Sequence, residues 1–371
     1  MSDNNKFMDR AVAKIRKDKY ISEWYNLRPL LGNASWGCIF YIILASRQTG
    51  KGFCVQDYCL NQWKKNHNNY ITWIRLREEH AKELLKNNAQ KLFEPILVKR
   101  YGLNLKTRGS EVYHVIEEEY TTKKGEVKKR EIERIKIAEV YGASTYYKTK
   151  GQTLYDADFF KDPKNQRLCV VDEFVAEAGE SNFDRGYALV NLLETMFRNQ
   201  KDRVKIFMLG NDVSDTSDLL SVFQFIPEQW GVYKLKSKKA VIDYVEPTEK
   251  YKEMRKGSIA DILMGNNSTF TNERDIDKQL IDKRPLVNPL YIIAFSKDKE
   301  HWYTVWNNNI IKKYNKENKR ILPMRPYLDE VYIMEQVKAV VDQFDTRSYH
   351  FRDLITFKLF QQDIRLLKPR T

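Results

Sequence analysis

The 371-residue chain has few of the residues that usually bind zinc, with only four cysteines and five histidines. The cysteines (Cys38, Cys54, Cys59 and Cys169) form no C-x-x-C pair and have no pair of histidines nearby. The ligand spacings typical of zinc sites are therefore missing, and we expect reduced thiols that are mostly buried.

The sequence also lacks a long apolar run and a secretory signal. The longest run, 39–45, is far shorter than the roughly 20 residues that cross a bilayer. The N-terminus, MSDNNKFMDRAVAK, mixes both charges and has neither an apolar core nor a small-residue cleavage site. The hydrophobic content of 42% argues against a disordered chain. We expect a cytosolic protein without membrane spans.

Positive charge is in surplus, because 64 Lys and Arg face 50 Asp and Glu and leave a formal charge of +14. A polyanion would neutralise the resulting self-repulsion, and nucleic acid is the first candidate. Charge alone leaves a merely soluble basic surface open, so the function must be sought in motifs.

Buried strands alternate with helices in the first half of the chain. Continuous apolar runs predict strands over 39–44, 70–74, 168–171 and 204–209, and apolar spacing predicts helices over 53–63, 78–101 and 187–197. This alternation is typical of an α/β fold with a mostly parallel wound sheet. We expect this sheet to form a first domain over 1–233.

The remaining segments have other patterns. Charged and apolar residues alternate over 111–137, which predicts an exposed β-hairpin within a charged insertion near 105–140. Its basic residues could face DNA, or its glutamates could offset them in a solvated hairpin. Residues 234–260, rich in Lys, Glu and Tyr, indicate a linker. Three short strands between 290 and 314, followed by helical patterns over 330–344 and 349–360, predict a small α+β domain over 261–371.

The segment ASRQTGKG lies between the first predicted strand and helix and resembles the phosphate-binding pattern G-x-x-x-x-G-K-[ST]. In that pattern backbone N–H groups hold phosphates, the lysine reaches the outer phosphates, and a hydroxyl binds Mg²⁺. Ala45 replaces the first glycine and Gly52 replaces the hydroxyl residue. The position before a helix N-terminus nevertheless favours an anion, with Lys51 as its counter-charge.

Two acids, Asp172 and Glu173, follow the strand predicted at 168–171. In P-loop ATPases an aspartate at this point holds Mg²⁺, and a following glutamate acts on the attacking water. Two carboxylates at the end of a buried strand are unfavourable unless a cation is nearby. The alternative is a solvated strand end, which the preceding phosphate loop makes less attractive.

Two further polar residues follow predicted elements. Asn211 comes directly after the strand at 204–209 and could sense a γ-phosphate, because ligands gather at the carboxyl ends of parallel strands. The alternative is a turn residue in Gly-Asn-Asp. Arg198 follows the helix at 187–197, where it could simply complement the helix dipole.

The motifs SRQTGK, CVVDEF, LLETMFRNQKDRV and IFMLGNDVS, in this order, resemble the DNA-packaging ATPases of small tailed phages with protein-capped linear genomes. This family is a branch of the ring-forming P-loop translocases. The motif SRQTGK also resembles the Walker A loop of the large terminase subunits of bigger phages. The resemblance rests on specific motifs over roughly 39–227, and in the second domain only on the order of its elements.

The resemblance implies a role for each matching residue. The phosphate cradle would consist of Ser46, Arg47, Gln48, Thr49, Gly50 and Gly52. Lys51 would contact the β- and γ-phosphates, and Asp172 would hold Mg²⁺, with water completing the coordination that Gly52 cannot supply. Glu173 would be the catalytic glutamate. Arg198 would be an arginine finger for the ATP of a neighbouring subunit, and Asn211 would couple hydrolysis to movement.

The resemblance further implies an ATPase, with ATP and Mg²⁺ as cofactors, that drives double-stranded DNA into a viral prohead. The subunits would form a homo-oligomeric ring, a pentamer in this family, at the portal vertex in the host cytoplasm, with a structural packaging RNA as a possible further partner. Such a motor would be absent from the mature virion.

The C-terminal domain resembles a degenerate ribonuclease H-like nuclease, and we expect no nuclease activity. A two-metal nuclease needs carboxylates on its central strands, yet residues 290–296 have none and the next strand has only the flanking Glu300. Two alternatives remain at this point. One is another DNA translocase or helicase of the same ATPase class, and the other is a basic nucleic-acid-binding protein with a decayed nucleotide site.

Overall fold

The structure, a computed structural model, divides into two compact units. The first comprises 1–213 with 229–273, and the second comprises 214–228 with 274–371. The residues described are 12–16, 24–32, 35–121, 126–145, 159–174, 185–197, 203–210, 220, 222–259, 262, 281–282, 284–286, 289–294, 302–306, 310–314 and 349–367. Over these ranges no helix has both the length and the apolar composition needed to span a bilayer.

A ten-stranded sheet forms the centre of the first unit. Its strands are β1 (Val12–Arg16), β2 (Phe40–Leu44), β3 (Ile71–Arg75), β4 (Leu105–Arg108), β5 (Glu111–Thr121), β6 (Val127–Gly142), β7 (Arg167–Asp172), β8 (Val204–Gly210), β9 (Gly231–Leu235) and β10 (Ala240–Tyr244). They are ordered β1-β9-β10-β2-β8-β7-β3-β6-β5-β4. The six strands from β10 to β6 pair in parallel, and two antiparallel strands flank them on each side. The predicted α/β fold with a mostly parallel sheet is confirmed.

Five helices accompany this sheet in the described part of the first unit: α1 (Lys51–Lys65), α2 (Glu78–Ala89), α3 (Pro95–Tyr101), α4 (Arg185–Phe197) and α5 (Glu249–Arg255). The single helix predicted over 78–101 is wrong, because the chain leaves helical geometry near the end of α2. Asn87 and Asn88 have φ values of 51° and 56°, a conformation that asparagine tolerates better than most residues. Pro95 then begins α3 as its first residue, where its missing N–H costs no helical hydrogen bond.

The core lies on both faces of the parallel strands, as the continuous apolar runs predict. Ile42, Ile43 and Leu44 of β2 are fully buried, and Leu60 and Trp63 of α1 pack into the same cluster as Ile43. Three of the four cysteines are buried, the fourth is half-buried, and all are free thiols. This agrees with the expectation of reduced, mostly buried thiols.

The predicted hairpin is present, with β5 and β6 paired antiparallel. Its outer part, 117–121 with 126–132, is mostly exposed. The inner end of β6 continues into the central sheet, where Ala138 to Gly142 pair with β3. The charged region is therefore an extension of a central strand and not a separable insertion.

The linker predicted over 234–260 is wrong. The last two residues of β9, all of β10 and all of α5 lie within it, and β10 pairs in parallel with β2. Val241 and Ile242 are fully buried. Three of the seven lysines of this segment lie in the short 3-10 turn Lys236–Lys238 and at Lys239, which has a φ of 47°. Composition averaged over the segment hides two buried strands joined by a charged turn.

The second unit contains β11 (Pro289–Ala294), β12 (Trp302–Trp306), β13 (Ile310–Tyr314), β14 (His350–Phe351) and α6 (Leu354–Leu367). The three predicted strands are present and pair antiparallel, and β14 adds to β13 in parallel. The rings of Tyr303 and Phe351 pack against Phe360 of α6, with centroids 5.0 and 5.4 Å away. The helix predicted from residue 349 begins at Leu354 because β14 precedes it. The helix predicted over 330–344 lies outside the described residues.

Candidate nucleotide site

The phosphate-loop motif forms a compact loop between the end of β2 and the first residue of α1. Ser46 and Thr49 are buried, and Thr49 Oγ1 donates a hydrogen bond to the Ser46 carbonyl at 3.1 Å. Gln48 has a φ of 61° and Gly50 a φ of 85°. Gly50 is also the N-cap of α1, and its left-handed backbone explains why glycine is needed there. The loop thus ends directly at a helix N-terminus, which attracts anions.

Gly52, the second residue of α1, is the position at which a hydroxyl residue was expected. A Cβ atom there would meet no other atom within 4 Å. Packing would therefore admit serine or threonine, and the glycine is not imposed by a close neighbour.

Lys51 is buried at the start of α1 and folds back over the loop. Its Nζ donates hydrogen bonds to the carbonyls of Ala45 and Ser46, each at 3.2 Å. Burial lowers the pKa of Lys51 to about 8, while the charges of Asp172 and Glu173 act in the opposite direction. A bound anion would favour the ammonium form and raise this pKa again.

We therefore expect nucleotide binding to take up a proton at alkaline pH. Near pH 7 the free site already holds the Lys51 proton, whereas above pH 8 most sites would be neutral until the polyanion binds. Uptake should approach about one proton per site near pH 9, and affinity should fall as pH rises through this range.

Calorimetry in two buffers of different ionisation heat measures this uptake directly at pH 7 and at pH 9. Lys51→Arg is the matched control because arginine keeps its charge at both values. Equal proton uptake by the arginine variant and the natural protein at pH 9 would contradict the assignment to Lys51.

The two predicted acids lie at the edge of the sheet where β7 ends. Asp172 is the last residue of β7, and Glu173 follows with a φ of 54°, a conformation that costs energy for a residue other than glycine. Only β8 separates β7 from β2. Because carboxyl ends of parallel strands meet at one edge, the acids and the phosphate loop belong to one site, and their electrostatic coupling to Lys51 agrees.

Arg75, the last residue of β3, joins the two acids and was missed by sequence reasoning. Its Nη2 lies 2.9 Å from Asp172 Oδ2, and its Nη1 donates to Glu173 Oε2. Burial raises the pKa of Asp172 and Arg75 opposes that rise. The cation that two carboxylates at a buried strand end require is thus present. The sequence shows that Arg75 follows an apolar strand, but it does not show that this strand pairs with β7.

Another segment without a predicted role also holds the loop. On α5, Tyr251 donates its hydroxyl to the Arg47 carbonyl at 2.5 Å, and Arg255 Nη1 donates to Gln48 Oε1 at 2.5 Å. Successive loop residues are therefore fixed by one helix of the region that composition had suggested to be a linker.

Two of the predicted site residues, Arg198 and Asn211, lie outside the described residues. The preceding elements are described: α4 ends at Phe197 and β8 ends at Gly210. Since β8 lies between β2 and β7, its carboxyl end is adjacent to both the loop strand and the acid strand. The predicted roles of both residues stay predictions.

The donor set suits Mg²⁺ held jointly with phosphates. Among the described residues, no group of three or more His, Cys, Asp or Glu side chains could hold a metal ion by itself. Nucleotide-bound Mg²⁺ typically uses one or two carboxylates, with phosphate oxygens and waters completing its shell. Asp172 meets this requirement.

The hairpin that was a candidate for DNA contact carries ion pairs along its length. Glutamates lie 3.2, 3.5 and 2.9 Å from the three described basic residues near its turn, in the pairs Lys128–Glu126, Lys129–Glu119 and Arg130–Glu118. Lys123 and Lys124 lie outside the described residues. These pairs favour the solvated hairpin.

Replacing Lys128, Lys129 and Arg130 together with alanine should leave the salt dependence of DNA binding unchanged. Glutamates already offset these charges, and exposed pairs contribute only about 0–1 kcal/mol each to stability. Affinity measured at several salt concentrations checks this expectation. A slope reduced by two to three would show instead that these residues neutralise phosphates.

Comparison with protein-family models and with curated proteins gave no match. Among solved structures, the chain is similar to the Phi-28 gp11 DNA packaging motor, with a TM-score of 0.57 and 15% identity over 94% of this chain and 99% of that one. It is also similar to a chain of the bacteriophage Phi-29 viral genome packaging motor assembly, with a TM-score of 0.58 and 18% identity over 94% and 100%. Nearly the whole length of each chain takes part, so this protein has the fold of these two packaging-motor chains.

Proposed function

We propose that the chain is an ATP-hydrolysing subunit of a motor that moves double-stranded DNA into a viral prohead. One observation carries the proposal: a buried phosphate-loop lysine and an Asp-Glu pair meet at one sheet edge. The fold shared with two packaging-motor chains supports the choice of task. The formal charge of +14 suits a nucleic-acid partner.

In this proposal the loop binds the triphosphate through backbone N–H groups of 46–50 and the N-terminus of α1. Lys51 releases the Ala45 and Ser46 carbonyls and contacts the outer phosphates. Asp172 holds Mg²⁺, which when bound neutralises charge on the phosphates. Glu173 orients the attacking water and accepts its proton.

Arg75 gives Glu173 two possible states. As long as Glu173 pairs with Arg75, its carboxylate is held by the guanidinium and is not directed at the water. Hydrolysis then requires Glu173 to turn away from Arg75 toward the water. The left-handed backbone at Glu173 is in keeping with a residue whose side-chain direction matters.

The finer parts of the proposal follow from the family resemblance. Subunits form a homo-oligomeric ring, a pentamer, at the portal vertex of the prohead in the host cytoplasm. Arg198 acts on the neighbour's ATP, and Asn211 couples hydrolysis to movement. The second unit has no nuclease activity, in keeping with β11, β12 and β13, none of which carries a carboxylate.

An ATPase assay with and without double-stranded DNA tests the central claim. We expect turnover that DNA stimulates and that Lys51→Ala abolishes, because the outer phosphates lose their counter-charge. Lys65→Ala is the matched control, since Lys65 is an exposed lysine at the other end of α1. Turnover unaffected by Lys51→Ala would remove the site assignment. DNA uptake into purified proheads then separates a packaging motor from another translocase of the same class.

A further inference from the structure

A tryptophan lies against the end of the phosphate loop. The side chain of Trp24 is 49% exposed. A Cβ atom at Gly50 would lie 3.3 Å from Trp24 Cε3 and 3.6 Å from Trp24 Cβ. The indole thus approaches the loop as closely as a glycine allows, and part of its surface still faces solvent.

The chain around Trp24 is fixed to the junction of the loop and α1. Tyr25 donates its backbone N–H to the Thr49 carbonyl at 2.8 Å and accepts a hydrogen bond from Cys54 Sγ at 2.6 Å. Its hydroxyl donates to Asp243 Oδ2 of β10 at 2.8 Å. Tyr25 itself is buried. The next residue along the chain therefore holds Trp24 in place from both sides of the junction.

The direction in which a nucleotide would lie follows from Lys51. Its Nζ reaches back to the Ala45 and Ser46 carbonyls, toward the acids Asp172 and Glu173. The outer phosphates therefore belong at the start of the loop, and the α-phosphate with its nucleoside belongs at the helix end. Trp24 lies at that helix end, beside Gly50.

We propose that Trp24 stacks on the base of the bound nucleotide, with purines favoured because their larger ring offers more area. The inference rests on the proposed nucleotide site and adds a base subsite to it. Aromatic side chains bind bases of any sequence through their π-faces, and the indole has the largest face of the natural side chains. Gly50 then has two roles: its left-handed backbone ends the loop, and its lack of a side chain lets the indole approach closely.

Calorimetric titration with Mg²⁺-ATP, Mg²⁺-UTP and inorganic tripolyphosphate tests this subsite. Trp24→Ala should weaken ATP binding about 5- to 150-fold, the usual range for one base–aromatic stack. UTP binding should weaken less than ATP binding. Tripolyphosphate, which has no base, should bind with unchanged affinity. Trp24→Phe should restore most of the ATP affinity. Trp36→Ala is the control, because Trp36 is 87% exposed and belongs neither to the phosphate loop nor to α1.

The remaining outcomes each overturn the inference. Equal weakening of ATP and tripolyphosphate would show that Trp24 only supports the loop, and unchanged ATP affinity would remove its role altogether. Lys51→Ala separates the two proposals, because it should weaken tripolyphosphate as well as ATP. If the natural protein bound neither ligand, the nucleotide site itself would be wrong.

Discussion

Glu173→Gln should lower ATP turnover by about 10²- to 10⁴-fold, the usual contribution of a positioned general base. Glutamine keeps the size of the side chain and its hydrogen-bonding capacity, but it cannot accept the proton of the attacking water. ATP affinity should change little, because Lys51 and the loop contact the phosphates and Glu173 does not. Single-turnover hydrolysis together with equilibrium binding of ATP separates the two quantities.

The control for this prediction is Glu249→Gln, which makes the same chemical change at an exposed residue of α5 and should leave turnover unchanged. Glu173→Gln also removes one of the two ion pairs of Arg75. Thermal unfolding of both variants therefore belongs to the experiment, and a folded Glu173→Gln protein with natural turnover would exclude Glu173 as the base. The general base would then have to be another residue of the site.

Local sequence pattern was enough to predict the elements that carry the site. The apolar run of β2 followed by a lysine-containing loop, and the run of β7 followed by two acids, each depend on residues that are neighbours in the chain. The strands and the loop were found where these patterns predicted them. Arg75 could not be found in this way, because its contact with Asp172 depends on β3 lying beside β7.

The errors have the same origin. Composition over 234–260 indicated a linker, but β10 is a strand because β2 provides an apolar edge to pair with. Likewise Trp24 and Tyr251 reach the loop from segments far away in the chain. The local residue pattern predicts which secondary structure a segment can form. These contacts depend instead on strand order, which a single sequence does not reveal.

The trans role of Arg198 is the second prediction with a large effect. Arg75 stays paired with Asp172 even when Glu173 turns toward the water, so charge that develops on the transferring phosphoryl group calls for a further cation. An arginine finger from a neighbouring subunit is worth about 10³–10⁵ in rate. Arg198→Ala should therefore be almost inactive alone, although its own phosphate loop is intact.

Mixing variants distinguishes a neighbour's arginine from one in the same chain. Lys51→Ala subunits lack a working loop but keep Arg198, so they can supply it to an Arg198→Ala neighbour. In head-to-tail rings assembled from equal amounts, about a quarter of the junctions would pair an intact loop with an intact arginine. Activity should return to roughly that fraction of the natural rate, measured as ATP turnover at concentrations that support assembly.

The matched control replaces the Lys51→Ala partner by a protein that carries both Lys51→Ala and Arg198→Ala. Such rings contain the same intact loops but no Arg198, so their activity should stay at the level of Arg198→Ala alone. Recovery with the single variant and not with the double variant assigns the effect to Arg198 across the junction. If neither mixture recovers although both form rings, Arg198 does not act in trans, and its place after α4 is explained by the helix dipole, whose negative end attracts a cation there.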